Sequence, residues 1–537
     1  MVGSDIKHAD IVNTSQPTSM VPRRWRSPKF VLWSGVVAST LIFLGSFGGG
    51  AIRYRDGVLR ALHLDFLSYG HGAGISNTVI ALGIISVIFA WGVMGRAMVF
   101  RLDVDERCHW QPLTKILAAW LVPLVFAAPI MSRDVYSYLM QGAMLRDGHN
   151  PYSEGAAANP GPMLLEVSHD WRNTTTPYGP LHLWLGEGIT RIVGDSVTAG
   201  VFLYKIVSLA GFALIAWSVP RIAELLGGNP RLALWLGVAN PVMVLHLVGG
   251  MHNESIMVGL VSVGLYLVLR GRFFSGVGLA AIAVALKATA AIALPFFVWI
   301  AMHYWARAWA QRSGRDKPSR FQWAGSFFAA AIAGAVETLG VVAVITLASG
   351  TSWEWIAEIS GNSKVINPLA LPTFFAGLIT DFVTIFNPDF AFNAPLSLLR
   401  TVFSVLMLLG LAIVWWYFRT SPTQAVRGIV FAYGVAFLCN SVTLPWYYAS
   451  LLSLIAVAPI RRTPAMWAAG LSMVVTLAFT GSGNHQLYNA AWMFASCAFA
   501  WFFTVWTFTE TSQTSRDTQQ WRGVTPERLR EEPALQS

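Results

Sequence analysis

Apolar segments close to 20 residues long follow one another along this chain, separated by short polar or basic stretches. A helix needs about 20 largely apolar residues to cross the roughly 30 Å hydrocarbon core of a bilayer. The segments that meet this length, or nearly meet it, are residues 30–49, 76–95, 113–131, 196–218, 230–248, 251–269, 322–348, 396–418, 425–441, 446–460, 464–481 and 487–508. The sequence therefore predicts an all-α polytopic membrane protein with about 12–14 transmembrane helices.

The composition agrees with a membrane protein and excludes other classes. Hydrophobic residues make up 55% of the 537 residues and charged residues 12%, whereas about 25% of a typical soluble domain is charged. This balance excludes a disordered chain and an ordinary cytosolic enzyme. The net charge of +10 comes from basic residues in loops between apolar segments, which is typical of cytoplasmic loops and disfavours nucleic acid as a partner. The three cysteines show neither a disulfide framework nor a zinc spacing.

The stretch 273–302 decides the predicted topology. It is long enough for one helix, or for two short helices hinged near Lys287 in its middle. Two helices put the basic loops 270–272 and 307–320 on one side, and the positive-inside rule makes that side cytoplasmic. Both termini are then cytoplasmic, the segment 181–193 does not cross, and the unusual polar motifs gather on the periplasmic face of a plasma-membrane protein.

Three regions follow from this topology. Residues 1–29 form a polar cytoplasmic N-terminus, residues 30–508 the transmembrane region, and residues 509–537 a disordered cytoplasmic tail. The first large periplasmic loop, residues 132–195, follows the third span and begins with an amphipathic helix along the membrane surface. One basic loop, with Arg53, Arg55 and Arg60, falls on the outer side against the rule. Asp56 and Asp65 partly balance its charge, and an anionic substrate is another reason for that placement.

Asp134 begins the predicted surface helix and is flanked by Arg133, Tyr136 and Tyr138. A carboxylate at the outer edge of a bilayer can accept a proton from a sugar hydroxyl while the lipid part of a substrate stays in the membrane. The alternative is a purely structural role, because an acidic residue in a first turn favours the helix. Spacing alone leaves both open.

A second motif, TTTPYGPLHL at 174–183, forms a rigid turn that presents Tyr178, just after Trp171 and Arg172. Sugars stack on aromatic rings, and arginine binds phosphate through two parallel hydrogen bonds. Anchoring of Trp and Tyr at the membrane interface explains the same residues equally well.

Two further sites place polar groups between apolar segments. Polar side chains between apolar segments cost free energy unless they have hydrogen-bond partners, and three occur together at His252, Asn253 and Glu254. Hydrogen bonding of these side chains to substrate hydroxyls is favoured over metal binding. A plain outward turn is the alternative. Lys287 lies at membrane depth, which indicates a functional role, as a partner of a lipid phosphate or of Asp134. The alternative is a structural role, in which its ammonium group only extends to the membrane interface.

The remaining candidates are aromatic motifs at outer helix ends. The motif LPWYY contains Trp446 and Tyr447, and the motif GNHQLY contains His485. Each alone is more often an interface belt than a site. The chain contains no nucleotide-binding motif, so no nucleotide is predicted as a partner and the energy for synthesis must arrive in the substrate.

The motifs SRDVYSYLMQGAMLRDGHNPY, TTTPYGPLHLW, GGMHNESIMVGL, ALKATAAIALPF and LPWYY occur in this order from Trp33 to Trp501. Together they resemble the actinobacterial polyprenyl-phosphomannose-dependent α-(1→6)-mannosyltransferases of lipomannan and lipoarabinomannan synthesis, in the glycosyltransferase C superfamily. The resemblance is closer to the distal-elongating A type than to the B type. It makes residues 30–508 the catalytic domain.

The resemblance implies a donor, an acceptor and a base. The donor is polyprenyl-phosphate-mannose and the acceptor is the 6-hydroxyl of a phosphatidylinositol-anchored mannan, with inversion at the anomeric carbon on the periplasmic side. Asp134 is the implied catalytic base, and because it has no adjacent carboxylate, neither a metal nor another cofactor is expected. The expected substrate-binding residues are Arg133, Tyr136, Tyr138, Gln141, Trp171, Arg172, Tyr178, His252, Asn253, Glu254, Lys287, Trp446, Tyr447 and His485.

Two rival functions remain. One is transfer of another sugar, such as arabinofuranose, from a polyprenyl phosphate. The other is a flippase or transporter of lipid-linked sugars, which is disfavoured by the absence of a visible internal repeat and by the gathering of motifs on one face. Product length and oligomeric state do not follow from the sequence.

Overall fold

The structure, a computed structural model, describes residues 27–54, 57–100, 110–361 and 366–509. Within these ranges the chain is helical, and pairing of extended backbone is confined to one bridge between Phe479 and His485. Nearly all of the predicted terminal regions, residues 1–29 and 509–537, lies outside the described residues.

The α-helices are numbered here in chain order. Those of the first half are α1 Pro28–Gly49, α2 Val58–Ala61, α3 Gly70–Met98, α4 Gln111–Phe126, α5 Asp134–Arg146, α6 Pro162–Glu166, α7 Pro180–Val193, α8 Val197–Leu225, α9 Pro230–Gly237 and α10 Glu254–Leu269. Those of the second half are α11 Phe273–Leu286, α12 Leu294–Arg312, α13 Arg320–Ala348, α14 Trp355–Gly361, α15 Leu371–Thr384, α16 Asn393–Tyr417, α17 Pro422–Cys439, α18 Ala449–Leu452, α19 Arg462–Leu477 and α20 Ala490–Phe508.

The predicted class, an all-α polytopic membrane protein, is confirmed. Among the described residues, eight helices are long and apolar enough to cross a membrane: α1, α3, α8, the helical stretch Ala288–Arg312, α13, α16, α17 and α20. A ninth span results if the π-helix Met243–Gly249 and α10, which meet at 115°, are counted as one. The helices α4, α11 and α15 are apolar but shorter.

Six predicted spans are not long helices, which lowers the number of long helices below the predicted 12–14. Four of them form helices of 14–16 residues, α4, α10, α11 and α19, and two have a different local structure. The segment 230–248 divides into α9 and the π-helix Met243–Gly249. The segment 446–460 holds only a 3₁₀ turn, Pro445–Tyr448, and the four-residue α18. Its apolar side chains are buried by neighbouring helices, and irregular backbone is tolerated at membrane depth when protein, rather than lipid, surrounds it.

The hinge predicted near Lys287 is confirmed. The helix α11 ends at Leu286, Lys287 itself is extended (φ −154°, ψ 125°), and a 3₁₀ helix from Ala288 leads into α12. The segment 181–193 belongs to α7, a helix of 14 residues, which is too short to span a bilayer.

Two of the three helices of the first large loop, α5 and α7, cross at a glycine contact. A Cβ atom on Gly142 of α5 would lie 2.2 Å from the backbone carbon of Gly186 in α7. Because no side chain fits there, the two backbones approach closely, and this contact fixes α5 against α7. The core lies among α3, α8, α9 and α10, where the Trp91 and Trp235 rings stack 4.4 Å apart.

Candidate functional site

Asp134 lies at the first residue of α5, at the end of a strained connection from α4. Met131 adopts a positive φ of 60°, and its amide donates to the Gly481 carbonyl at 2.6 Å. The Ser132 hydroxyl accepts a hydrogen bond from the Asp134 amide at 3.1 Å. The start of α5 is therefore held by a hydrogen bond to Gly481 as well as by contacts within its own helix. Together these contacts fix the direction of the Asp134 carboxylate.

The Asp134 carboxylate faces the imidazole of His252. Oδ2 of Asp134 lies 3.4 Å from Nδ1 of His252, whose side chain is fully buried, while 15% of the Asp134 side chain is exposed. The His252 ring stacks on Trp446 with 3.5 Å between ring centroids and 16° between planes. Three residues far apart in the sequence thus form one continuous contact.

The backbone before His252 has an unusual shape that brings this residue to Asp134. The π-helix Met243–Gly249 is capped by Gly250, and the next residue, Met251, adopts a positive φ of 55°. The chain then bends by 115° into α10. Single-turn π segments and positive φ values at non-glycine residues are often found at functional sites.

Glu254 and Lys287 form a buried ion pair beside this contact. The Lys287 ammonium donates to Oε1 of Glu254, and only 8% and 1% of the two side chains are exposed. The same ammonium lies 4.4 Å from the centroid of the Tyr447 ring and 5.3 Å from that of Tyr178. Lys287 therefore pairs with Glu254, rather than with Asp134 as one sequence hypothesis had it.

Tyr138, Tyr178 and His182 form an aromatic wall next to Asp134. The Tyr138 ring lies 5.6 Å from Tyr178 and 4.8 Å from His182, edge to face in both cases. Its hydroxyl lies 3.5 Å from Oδ2 of Asp134. Tyr138 and His182 are buried, so Tyr178, which is partly exposed, is the ring of this wall that a sugar could reach beside the carboxylate.

His182 joins the two remaining polar candidates. Its Nε2 lies 3.1 Å from Oε1 of Gln141, and its Nδ1 lies 3.4 Å from Nδ2 of Asn253. Gln141 comes from α5 and Asn253 from the turn before α10. The buried imidazole thus links the two motifs that the sequence analysis treated separately.

Electrostatics keep the Asp134 carboxylate ionised. Burial raises the pKa of Asp134, but hydrogen bonding and charge attraction from His252, a hydrogen bond from Ser132 and the charge of Lys287 outweigh it, so the pKa lies below the ordinary value of 3.8. Burial, together with the charge of Lys287, lowers the pKa of His182 to about 3. At neutral pH the Asp134 carboxylate is ionised and the His182 imidazole is uncharged.

The tyrosines of the wall are un-ionised for a related reason. Burial, then the neighbouring tyrosine or the Asp134 charge, raises the pKa of Tyr138 and of Tyr178 well above 10.0. Both phenols therefore carry their protons at neutral pH and are able to donate hydrogen bonds.

The structure brings ten of the predicted residues into this site. They are Asp134, Tyr138, Gln141, Tyr178, His252, Asn253, Glu254, Lys287, Trp446 and Tyr447. In the described part of the chain, no three or more His, Cys, Asp or Glu side chains gather closely enough to hold a metal ion.

Arg133 and Tyr136 point away from this site. The Arg133 guanidinium donates to the carbonyls of Ile52 (2.6 Å) and Glu166 (2.7 Å). The Tyr136 hydroxyl donates to the Ala51 carbonyl at 2.7 Å. These contacts fasten α5 to the connection after α1, so neither side chain lies with Asp134.

Trp171, Arg172 and His485 also lie apart from it. Arg172 donates to the carbonyls of Val167 and Leu165, each at 3.2 Å, within its own loop. Trp171 packs against buried apolar side chains of that loop and α5. The His485 ring contacts Tyr488 at 5.3 Å. The predicted pairing of Trp171 with Arg172 at the substrate is therefore not seen, because the arginine is engaged by the loop's own carbonyls.

Two buried histidines near these residues were not predicted from the sequence. His182 lies within the quoted TTTPYGPLHL motif, and its position two residues after the proline at the start of α7 was the available signal. His246 lies in the π-helix, 5.9 Å from His252 and 5.7 Å from Trp446 by ring centroid. It was hidden inside a segment interpreted as an ordinary span.

Two family models match separate parts of this chain. A family model described as "Alpha-(1->6)-mannopyranosyltransferase, N-terminal domain" matches residues 32–303, and one described as "MptB C-terminal domain" matches residues 372–509. The chain is 56% identical over 486 residues to α-(1→6)-mannopyranosyltransferase A of Corynebacterium glutamicum, covering 89% of this chain and 98% of that protein.

Two more relatives place the chain within this group. It is 36% identical over 472 residues to α-(1→6)-mannopyranosyltransferase A of Mycobacterium tuberculosis, covering 87% of this chain and 88% of that protein. It is 27% identical over 459 residues to α-(1→6)-mannopyranosyltransferase B of Corynebacterium glutamicum, covering 80% and 73%. The chain is therefore more similar to these A proteins than to this B protein, as the motifs predicted.

Proposed function

The chain belongs to the α-(1→6)-mannopyranosyltransferase family and is a multi-pass membrane mannosyltransferase, and we propose that it moves mannose from polyprenyl-phosphate-mannose to a lipid-anchored mannan. In this proposal the acceptor is the 6-hydroxyl of the terminal mannose on a phosphatidylinositol-anchored mannan. The product is an α-(1→6)-linked mannan one residue longer, the backbone of lipomannan and lipoarabinomannan.

The reaction is a single displacement with Asp134 as general base. The acceptor oxygen bonds to C1 of the donor mannose, the bond from C1 to the phosphate oxygen breaks, and the bonding electrons leave with polyprenyl phosphate. The acceptor proton passes to the Asp134 carboxylate. Since attack and departure occur on opposite faces, the configuration at C1 inverts. General-base help of this kind is typically worth about 10²–10⁴-fold.

The observation that carries this proposal is the contact of Asp134 with His252 on the Trp446 ring. A carboxylate that is ionised, partly exposed and fixed in direction has the properties of a base toward a hydroxyl. The protonated phenol of Tyr178, which is partly exposed, supplies a donor for a sugar hydroxyl beside it, while the Tyr138 hydroxyl donates to Asp134 itself.

Lys287 is our candidate for the cation that faces the departing phosphate. Of the cations named from the sequence, Arg133 and Arg172 bind backbone carbonyls away from the site, whereas Lys287 lies in the site, where it donates to the Glu254 carboxylate. The Lys287 ammonium lies between the Tyr178 and Tyr447 rings and contributes to the ionisation of Asp134. Positive charge held where negative charge develops stabilises the transition state.

Product analysis tests this function. The purified full chain in detergent is incubated with synthetic polyprenyl-phosphate-mannose and a short α-(1→6)-mannan, and the new linkage is assigned by NMR. We expect one α-(1→6)-linked mannose per turnover. A β-linked product would contradict inversion from a β-mannosyl donor. In a parallel reaction with a polyprenyl-phosphate-arabinofuranose donor, exclusive use of that donor would favour the rival sugar. Bond formation in detergent excludes pure transport, since no second compartment is present.

Labelling from outside the cell tests the proposed periplasmic orientation. Asp170 lies exposed in the first large loop and Asp316 lies exposed in the loop between α12 and α13. In a variant with its native cysteines replaced by serine, we expect Asp170→Cys to react with a membrane-impermeant maleimide on intact cells. Asp316→Cys is the matched control and reacts only after lysis. The reverse pattern would overturn the orientation.

A further inference from the structure

A second cavity lies on the other side of the start of α5 from Asp134. Its volume is about 540 Å³, and it is lined by described residues of the connection between α1 and α3, the end of α4 and the start of α8. Tyr136 lines this cavity, whereas Asp134 faces His252. Residues two apart on a helix point in directions about 200° apart, so the two sites are separate.

The wall of this cavity contains a buried cation without a carboxylate partner. Lys205 is 1% exposed, and its ammonium donates to the carbonyls of Val248 (2.9 Å) and Gly249 (3.4 Å). Among the described residues no carboxylate oxygen lies within ion-pair distance of it. An ammonium held inside an apolar helix without a counter-ion is costly, and such groups usually mark a ligand site.

Two arginines add to the positive charge. Arg53 and Arg60 also line the cavity, together with one acidic residue, Asp65. Arg53 lies 3.7 Å from a Glu166 oxygen, but the same carboxylate also binds Arg133 at 3.3 Å. One carboxylate between two guanidinium groups leaves net positive charge. Two of the three arginines of the basic loop that disagreed with the predicted topology thus line this cavity.

The rest of the lining mixes polar side chains, such as those of Ser68 and Thr198, with apolar ones. Phe126 at the end of α4 and Phe202 in the spanning helix α8 line the cavity, and 62% and 49% of their surfaces are exposed. In a spanning helix, exposed apolar side chains of this kind face lipid chains. A ligand held here therefore has access to the bilayer for its apolar part.

We propose that this cavity binds the phosphate group of a membrane lipid, with Lys205, Arg53 and Arg60 around the phosphate and the lipid chains passing Phe126 and Phe202. The shared chemistry is a lipid-linked phosphate, carried by a polyprenyl phosphate or by a phospholipid. Lys205 also holds the carbonyls of Val248 and Gly249, three to four residues before His252. Binding at the cavity thus stiffens the segment that presents His252 to Asp134.

Binding measurements on the purified full chain test this site without requiring transfer. The probes are geranylgeranyl phosphate, dioctanoyl phosphatidylinositol, dioctanoyl phosphatidylcholine and inorganic phosphate, each titrated in detergent. We expect an anionic lipid probe to bind and Arg60→Gln, at an exposed position, to weaken it about tenfold, the loss expected for one charge-assisted contact. Val201→Trp, which fills the cavity, is expected to abolish binding.

Arg191→Gln is the matched control, because Arg191 is exposed on α7 and pairs only with Glu187 among the described residues. Equal binding by all three variants would overturn the proposal, as would equal affinity for inorganic phosphate or phosphatidylcholine. Preference for geranylgeranyl phosphate identifies a polyprenyl ligand, and preference for phosphatidylinositol identifies a phospholipid. Lost binding in Val201→Trp with transfer retained supports a separate site and leaves the proposed function unaffected.

Discussion

The Lys287 ammonium and the Glu254 carboxylate form an ion pair inside the protein, contributed by the helix break after α11 and the first residue of α10. Their charges neutralise each other in a region with little access to solvent. A buried pair of this kind is costly to break at one end, because the remaining charge is left without a partner.

Lys287→Met is therefore expected to destabilise the protein by about 3–5 kcal/mol, the usual cost of leaving one buried charge unpaired. The double variant Lys287→Met with Glu254→Gln removes both charges and is expected to recover most of that loss. Thermal unfolding in detergent measures both. If the double variant is no more stable than the single one, the pair does not stabilise the fold in the way described.

The glycine contact between α5 and α7 predicts that substitutions at Gly142 and Gly188 have different effects. A Cβ atom at position 142 would come within 2.2 Å of the Gly186 backbone. We therefore expect Gly142→Val to shift α5 and to lower both the rate of mannosyl transfer and the stability of the protein. Gly188→Ala is the matched control on α7, because nothing lies within 4 Å of its Cβ. It is expected to be neutral or to stabilise α7 by about 0.5–1 kcal/mol. Equal transfer rates in the two variants would contradict a positioning role for the contact.

The pKa directions at the site predict the acid side of the pH profile. Asp134 has a pKa below 3.8 and His182 one of about 3, so the carboxylate stays ionised and the His182 imidazole neutral as the pH falls from 8 to 5. We expect neither group to give kcat/KM an acid limb in that range. The base is lost only as the pH falls through the lowered pKa of Asp134. An acid limb near pH 6 that persists in both His252→Gln and His485→Gln would contradict this assignment.

The sequence predicted the elements that depend on local pattern. Hydropathy located α1, α8 and α13 within a few residues at most ends, since an apolar run of spanning length has few alternatives. The helix after Asp134 followed from apolar residues at helical spacing, and the hinge at Lys287 from a charge within an apolar run. Most side chains of α5 are buried, however, so it is an interior helix and not the predicted surface helix.

The sequence could not predict features that depend on tertiary contacts. The buried segment after Pro445 is irregular because neighbouring helices shield it from lipid, which hydropathy does not distinguish from a span. Arg172 was expected at the substrate, but the carbonyls that engage it belong to its own folded loop. The partner of Lys287 likewise became clear only when α10 and the hinge were seen together.

The rate of mannosyl transfer by Asp134→Asn tests the central claim most directly. This change keeps the size of the side chain and removes its basicity, so we expect transfer to fall at least about 10²–10⁴-fold, with the thermal unfolding temperature nearly unchanged. Asp147→Asn, at the other end of α5 and paired with Arg146, is the control and should retain transfer within about threefold of the unchanged protein, as for a surface ion pair. Near-normal turnover by Asp134→Asn, measured with saturating donor and acceptor, would contradict the assignment of Asp134 as the base.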